Sequence, residues 1–319
     1  MTAPAPLPSW QPSGRFEWLR LRGRIQAEIR NFFEARGVTE VTTPLLTACG
    51  VSDPQIQSLE LGVDQGFLRT SPEYYHKRLL AAGFGDLYEM GPVMRAAEHG
   101  RRHRLEFTLL EWYRLGLDWE QLAAEALDLI QTCSRRVGRS WKTQMLSWQT
   151  AFTQTLDFDP LKLGADASTD ETLLTLTENL PADCDQKMRL DYLMVSRIQA
   201  SLPPDQLTVI YHYPADQAAL AELEPEDPRL ARRFEVFAGS LELANAYQEL
   251  RDPLEQARRF DEDNRRRQGL GLPTMPTDEA LLAALAHGLP ACSGIALGVD
   301  RLMMALTGTE DISEVIAFS

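Results

Sequence analysis

"MGPVMRAAEHGRRHRLEFTLLEWYRLG" occupies residues 90–116. Arg95, Arg101, Arg102, His103 and Arg104 crowd into ten of its residues, and the apolar run "LEFTLLEWY" follows at once. The apolar run reads as a buried strand. The basic run reads as the connection from a preceding strand that ends near Arg95. Two antiparallel strands with Arg on one, and Arg and His in the connection, make a cup for a bent polyphosphate. Arg suits that task because its planar fork bonds phosphate or carboxylate oxygens bidentately. Phe107, just past the connection, can stack on a planar base. Taken alone, the same run also fits a solvated hairpin tip.

The rest of the chain sharpens the contrast. Its 319 residues carry 32 Lys and Arg against 46 Asp and Glu, a net charge of −14. Such a balance argues against a protein that lives on nucleic acid, which needs surplus cations to neutralise phosphates. A local basic pocket for one small polyphosphate remains compatible with it. Cys49, Cys133, Cys184 and Cys292 are far apart, so no disulfide or zinc framework is readable. The start, "MTAPAPLPSWQPSG", lacks the basic and apolar regions of a secretory signal. No run approaches the ~18 apolar residues of a membrane span. A cytoplasmic protein is expected.

Moving outward along the chain, residues 1–14 read as a Pro-rich arm ahead of one domain over 15–319. Trp18, Leu21, Ile25, Ile29 and Phe32 recur at helical spacing, and Gly37 stops that helix. "VTEVTTPLLT" reads as a short strand that bends at Pro44. "GFLRTSPEYYHKRLLAAGFGDLYEMGPVMR" predicts strand, helix, strand, with Ser71 as N-cap and Pro72 at the first helical position. Trp119 to Cys133 has helical period. Residues 139–206 are acidic and read as mostly helical and peripheral. "LTVIYHYP" is a strand. "RFEVFAGSLELANAYQEL" is a hairpin broken at Gly239-Ser240. Two helices follow, and "CSGIALGVDRLMMALTG" is a strand feeding a helix. Hairpins interrupted by helices predict an α+β fold with a largely antiparallel sheet flanked by helices. Neither a G-x-x-x-x-G-K-[ST] loop nor a G-x-G-x-x-G after a strand is present, so ATP would need another kind of site.

Arg301 stands at the last strand-to-helix junction, behind small residues that let a ligand approach the backbone. On its own it equally fits a helix-capping salt bridge with Asp300 or another acid. Glu242 and Glu249 are seven apart, which puts them on opposite faces of a regular strand unless it bends. If they converge, they suit Mg²⁺. Glu73 and Glu111, with Tyr113, suit an ammonium group.

Together these segments resemble the catalytic core of class II aminoacyl-tRNA synthetases, in the lysyl branch. The first helix with "GVTEVTTPLL" resembles motif 1, the dimer-forming element. "MRAAEHGRRHRLEFTLLEWY" resembles motif 2 and "GIALGVDRL" motif 3. "SWQPS", "TSPEYYHKRLL", "FEVFAGSLELANAYQEL" and "EVIAFS" are similar to the elongation factor P–lysine ligase family, truncated paralogues of lysyl-tRNA synthetase. The resemblance covers about residues 8–319. It implies ATP-dependent activation of lysine or (R)-β-lysine, then transfer to a lysine ε-amino group of elongation factor P, in a homodimer that does not serve tRNA. By position it implies Arg95 and Arg301 as the catalytic cations. ATP would be bound by Arg95, Arg102, His103, Phe107, Glu242, Leu243, Gly298 and Arg301. The amino acid would be bound by Ser71, Pro72, Glu73, Glu111, Tyr113, Glu249 and Ala296, and Mg²⁺ by Glu242 and Glu249. Phe107 and Arg301 would sandwich adenine. Motif 2 departs from the family at Arg95-Ala96-Ala97, where Arg-Asn-Glu is usual, and at Arg104-Leu105, where Asn-Pro is usual. The absent Glu would have bonded the adenine amino group. Two other readings follow: a paralogue that keeps the fold as a binding or regulatory module, and a ligase that releases a free amino-acid product.

Overall fold

A computed structural model describes residues 10–62, 65–96, 98, 100–163 and 170–319. Of the N-terminal arm, residues 1–9 lie outside this description. The chain forms two compact units, residues 1–140 with 246–319, and residues 141–245.

The first unit opens with α1 (Phe16–Glu34), whose Leu21, Ile25, Ile29, Phe32 and Phe33 are buried. This is the face expected from the helical spacing. Four two-residue strands follow, β1 (Thr39–Glu40), β2 (Leu46–Thr47), β3 (Leu59–Glu60) and β4 (Phe67–Leu68). Then come α2 (Glu73–Ala81), β5 (Leu87–Met94), β6 (Glu106–Leu115) and α3 (Trp119–Arg135). Asp118 caps α3 in a capping box with Gln121, satisfying two donors that the first turn leaves open.

The second unit holds β7 (Lys142–Ser147), α4 (Trp148–Leu156), α5 (Glu171–Leu176) and α6 (Gln186–Leu193), which runs on into a π-helical stretch, Met194–Gln199. Next are β8 (Gln206–Pro214), β9 (Leu230–Ala238) and β10 (Leu241–Gln248), whose last residues belong to the first unit. The chain returns with α7 (Pro253–Gly269), α8 (Glu279–Gly288), β11 (Cys292–Gly298) and α9 (Val299–Thr307).

In the first unit β1, β5, β6 and β11 neighbour one another in that order. β5–β6 and β6–β11 are antiparallel, and β1 joins β5 in parallel. Side chains alternate across a sheet, so one face can be apolar and the other functional. Tyr88 and Trp112 are register partners, and both meet Phe33 of α1, at 4.4 and 5.4 Å between ring centroids. Their neighbours Glu89, Glu111 and Tyr113 therefore face the other way, toward α2. This alternation positions the site.

The second unit has its own core, built around Trp148, Phe152, Leu173, Leu193, Ile198, Ile210 and Phe237. Its strands run β10, β9, β8, β7, with β7 parallel to β8. Gly239 turns the β9–β10 hairpin with φ of 56°, in the left-handed region that favours glycine. Residues 139–206, expected to be mostly helical and peripheral, hold α4, α5 and α6 with strand β7. That stretch contains a strand and shares a core with the segment after it. "KTQMLS" of β7 gave no strand signal because none of its side chains is fully buried.

All four cysteines are free thiols. Among the described residues no helix is long and apolar enough to cross a membrane.

Candidate active site

The functional face of the first unit carries two regions of opposite charge. The first is a buried polar pocket between α2 and the sheet. Helix α2 begins at Glu73, one residue later than expected, because Pro72 is its cap residue. Ser71 still serves the helix end, its Oγ accepting from the Glu73 N–H at 3.0 Å. The same hydroxyl donates to Glu111 Oε2 at 2.7 Å, and the Tyr113 hydroxyl donates to Glu111 Oε1 at 2.9 Å. Helical spacing places Lys77 one turn beyond Glu73, 2.8 Å from its Oε1. Lys77 also lies 2.6 Å from Glu249 Oε2 and is fully buried. Glu89, directly opposite Glu111 on β5, is held by Arg69 at 2.7 Å and by His76 Nε2 at 3.1 Å.

The charges in this pocket do not cancel. Arg69 answers Glu89, and Lys77 alone answers Glu73, Glu111 and Glu249. If all three of these carboxylates are ionised, they outnumber the ammonium by two. The ionisation of each group follows from that excess. Burial opposes the charge on Glu89, yet hydrogen bonds from His76, Arg69 and Thr43 outweigh it and hold the pKa at about 2. Burial pushes Glu111 upward, and the neighbouring Glu73 adds to the push. Burial also raises Glu249, against the pull of Lys77. For Lys77 burial works against the charge, but Glu249 and Glu73 prevail and keep the ammonium protonated. A buried cluster with more carboxylates than cations suits a ligand that brings positive charge.

β11 forms the floor. Ala296 is the register partner of Glu111, and Gly294 that of Tyr113. A Cβ on Gly294 would run into the Tyr113 ring and Glu249 Oε1. Ala296 is half-buried.

The second region is the cationic cup. Arg95 follows β5, and its backbone N–H donates to Leu105 across the connection. Its guanidinium lies over the Phe107 ring, 5.1 Å from the centroid. Glu98 sits among the cup's cations, 3.2 Å from Arg95, 3.8 Å from His103 and 3.9 Å from Arg301. Burial and the adjacent Arg301 depress the His103 pKa, Glu98 pulling the other way. Arg102 is exposed at the tip. Arg301 stands in the first turn of α9, whose N-cap is Gly298. Its neighbour Asp300 is engaged elsewhere, bonded to Arg22 and accepting from the Thr108 N–H at 2.8 Å. Of the alternative pairings, the structure has Arg301 beside another acid, Glu98, at 3.9 Å.

The sequence reading thus finds Ser71, Pro72, Glu73, Glu111, Tyr113, Glu249 and Ala296 around one pocket, and Arg95, His103, Phe107, Gly298 and Arg301 around the cup. Glu242 and Leu243 lie on β10 in the second unit, Leu243 buried and Glu242 half-buried. Ala97 lies outside the described residues. Sequence reasoning missed Arg69, His76, Lys77, Glu89 and Glu98. For Lys77 a signal was present, since an acid four residues earlier on a helix marks an ion pair.

Comparison with known proteins agrees with this architecture. Residues 13–319 match the model of the tRNA synthetases class II (D, K and N) family. The chain belongs to that family. Within it, the chain is 44% identical over 318 residues to the elongation factor P–(R)-β-lysine ligase of Proteus mirabilis, covering 97% of each. The ligase of the same name from Klebsiella pneumoniae (strain 342) is 44% identical over 326 residues, covering 98% of this chain and 97% of its own.

Proposed function

We propose that this protein is an ATP-dependent ligase that activates (R)-β-lysine as its adenylate and transfers the aminoacyl group to a lysine ε-amino group of elongation factor P. The surplus of carboxylates over cations in the buried pocket carries this reading. (R)-β-lysine brings two ammonium groups to neutralise it, and its carboxylate is left for the cationic cup. Glu111 with Tyr113 and Ser71, and Glu73 with Glu249, are the proposed ammonium ligands. The two ligases named above support the choice of substrate and acceptor.

In the first step a carboxylate oxygen attacks the α-phosphorus of ATP and pyrophosphate leaves. In the second, the acceptor amine attacks the acyl carbon, loses a proton and expels AMP. The protein supplies no nucleophile. It positions the reactants and stabilises charge. Arg95 is proposed to hold the α-phosphate and the substrate carboxylate. His103 and Arg102 would hold the outer phosphates. Phe107 and Arg301 would enclose adenine, partly by cation–π contact, with Gly298, Leu243 and Glu242 completing the nucleotide's surroundings.

Mg²⁺ accompanies ATP in this chemistry, bound through phosphates and one or two carboxylates. Glu249 fits that role poorly, because its carboxylate is buried against Lys77. Among the described residues no three His, Cys, Asp or Glu side chains are grouped to hold a metal. We therefore assign Glu249 to the amino acid and keep only Glu242 as a proposed metal ligand. No step above depends on the ion.

A homodimer built on α1 and β1, a cytoplasmic setting and indifference to tRNA belong to the same proposal. The net charge of −14 supports the last of these.

The decisive experiment is ATP–pyrophosphate exchange with (R)-β-lysine and with L-lysine, followed by mass analysis of elongation factor P. Exchange with (R)-β-lysine and the matching mass increment are expected. Efficient charging of tRNA with lysine would overturn the choice of acceptor. The second reading, an inert paralogue, is favoured by Ala96-Ala97 in motif 2, and a complete lack of exchange would establish it.

A further inference from the structure

Glu89 and Glu111 are register partners on adjacent strands, and both are almost fully buried. Like charges placed directly opposite one another repel. His76 enters between them from α2 and is itself completely buried. Its Nε2 lies 3.1 Å from Glu89 Oε2, and its Nδ1 lies 3.8 Å from Glu111 Oε1 with no hydrogen-bond partner. Glu89 also accepts from the Thr43 hydroxyl at 2.7 Å and is paired with Arg69. It is thus a fixed anion, and it draws the imidazole's own proton to Nε2. That tautomer leaves the Nδ1 lone pair facing a carboxylate oxygen. Two buried acceptors aimed at each other are unfavourable unless a proton lies between them.

The surrounding groups do not fill that gap. Tyr113 and Ser71 donate to Glu111, and the Tyr113 ring stands edge-on to His76 at 5.5 Å. On the helix of His76, Lys77 is held by Glu73 and Glu249.

We propose that His76 and Glu111 share one stored proton in the empty pocket, and that docking of a substrate ammonium on Glu111 expels this proton to solvent. The proposal rests on the reading of Glu111 as an ammonium ligand. One positive charge replaces another, so the buried carboxylate is never left uncompensated. Whether the stored proton sits on Nδ1 or on the carboxyl, the count is the same. The burial that favours a protonated Glu111 acts in the same direction. His76 is a positioning residue here, acting through Glu111. Amino-acid affinity then tightens about tenfold per pH unit while the pair is protonated, the slope for one proton per binding event, and levels off above that range. ATP affinity does not follow this slope.

The test is calorimetric titration of the full chain with (R)-β-lysine at pH 7 in buffers of different ionisation enthalpy. The substrate's own amines are fully protonated there. About one proton released per ligand is expected. Binding without proton release overturns the inference and leaves the functional reading standing. If (R)-β-lysine does not bind, both fall. In His76→Met the proton has only Glu111 to reside on, without the imidazole. With no Nδ1 to accept the proton, the pH at which affinity levels off should then fall by about one unit or more. A levelling point that does not move would reduce His76 to packing and overturn the inference. Should the Met variant fail to fold, His76→Gln keeps a donor to Glu89 and is read the same way.

Discussion

Lys77 and Arg95 are both cations set among carboxylates, and their situations differ. Lys77 has no exposed surface and touches two carboxylates at 2.6 and 2.8 Å. Arg95 is a quarter exposed, rests on Phe107 and meets Glu98 at 3.2 Å. The pocket around Lys77 is built into the fold, its ion pairs in place while His76 Nδ1 and Glu249 Oε1 stay without hydrogen-bond partners. The cup around Arg95 holds a temporary anion, Glu98, which the nucleotide phosphates must displace. Recognition of the amino acid is thereby coupled to stability, whereas recognition of the nucleotide is adjustable at a surface loop.

The sharpest way to break this comparison is Lys77→Met. Removing one partner of a buried pair costs about 3–5 kcal/mol, because the remaining charge is stranded. Arg102→Ala, at the exposed tip, should change stability by no more than ~0.5 kcal/mol. Urea unfolding of the two variants gives both numbers. A similar loss in each would show that pocket and cup are equally embedded.

Acid titration probes the pocket next. The folded pKa of Glu89, about 2, is depressed below the ordinary 4.5. Its contribution is therefore complete above about pH 5 and is lost as pH falls toward 2. The shift corresponds to roughly 3 kcal/mol. Unfolding followed from pH 6 to pH 2 should show this loss in the native sequence and a flatter profile in Glu89→Gln. Parallel profiles would place the acid sensitivity elsewhere.

On the cup, Arg301→Ala should lower kcat/KM for ATP in pyrophosphate exchange by roughly tenfold to a hundredfold, the worth of a charged contact. The amino-acid KM should stay within about twofold, since Arg301 is not part of the pocket. A matching rise in amino-acid KM would mean that the two regions are not separable.

The smallest effect concerns Glu98. Its contacts with His103 and Arg301 are long, and partly exposed pairs contribute about 0–1 kcal/mol. Glu98→Gln should tighten ATP binding by about threefold, with a still smaller effect on melting temperature. Weaker ATP binding in this variant would make Glu98 a ligand for the nucleotide instead of its competitor.

Much of this was legible in the sequence, for identifiable reasons. The apolar spacing of α1 and α3 predicts their buried faces because a helix repeats locally. Arg95, His103 and Arg301 stood out because cations beside small residues and apolar strands are chemically conspicuous. The pocket's internal partners were hidden. The pairing of Glu89 with Glu111 is set by the register of β5 on β6, and register is a property of two strands together. His76 becomes meaningful only once that pairing is known. In the second unit β8 and the β9–β10 hairpin were legible from their alternation, whereas β7 was hidden for a related reason. Its edge strand β7 is polar, and its core draws on helices and strands from Trp148 to Phe237.

Gly294 has a consequence for how this pocket can change over generations. Every amino acid other than glycine would place an atom where Tyr113 and Glu249 already stand. Position 294 is therefore closed to mutation unless one of those two side chains goes first, and the pocket loses a ligand when it does. Two residues along the same strand, Ala296 is the register partner of Glu111, already carries a methyl and is only half-buried. A lineage that drifts toward another diamino acid can do so in single steps at position 296 and in none at position 294. The floor of the pocket thus has one adjustable position next to one fixed by its neighbours, and descendants of this gene should vary accordingly.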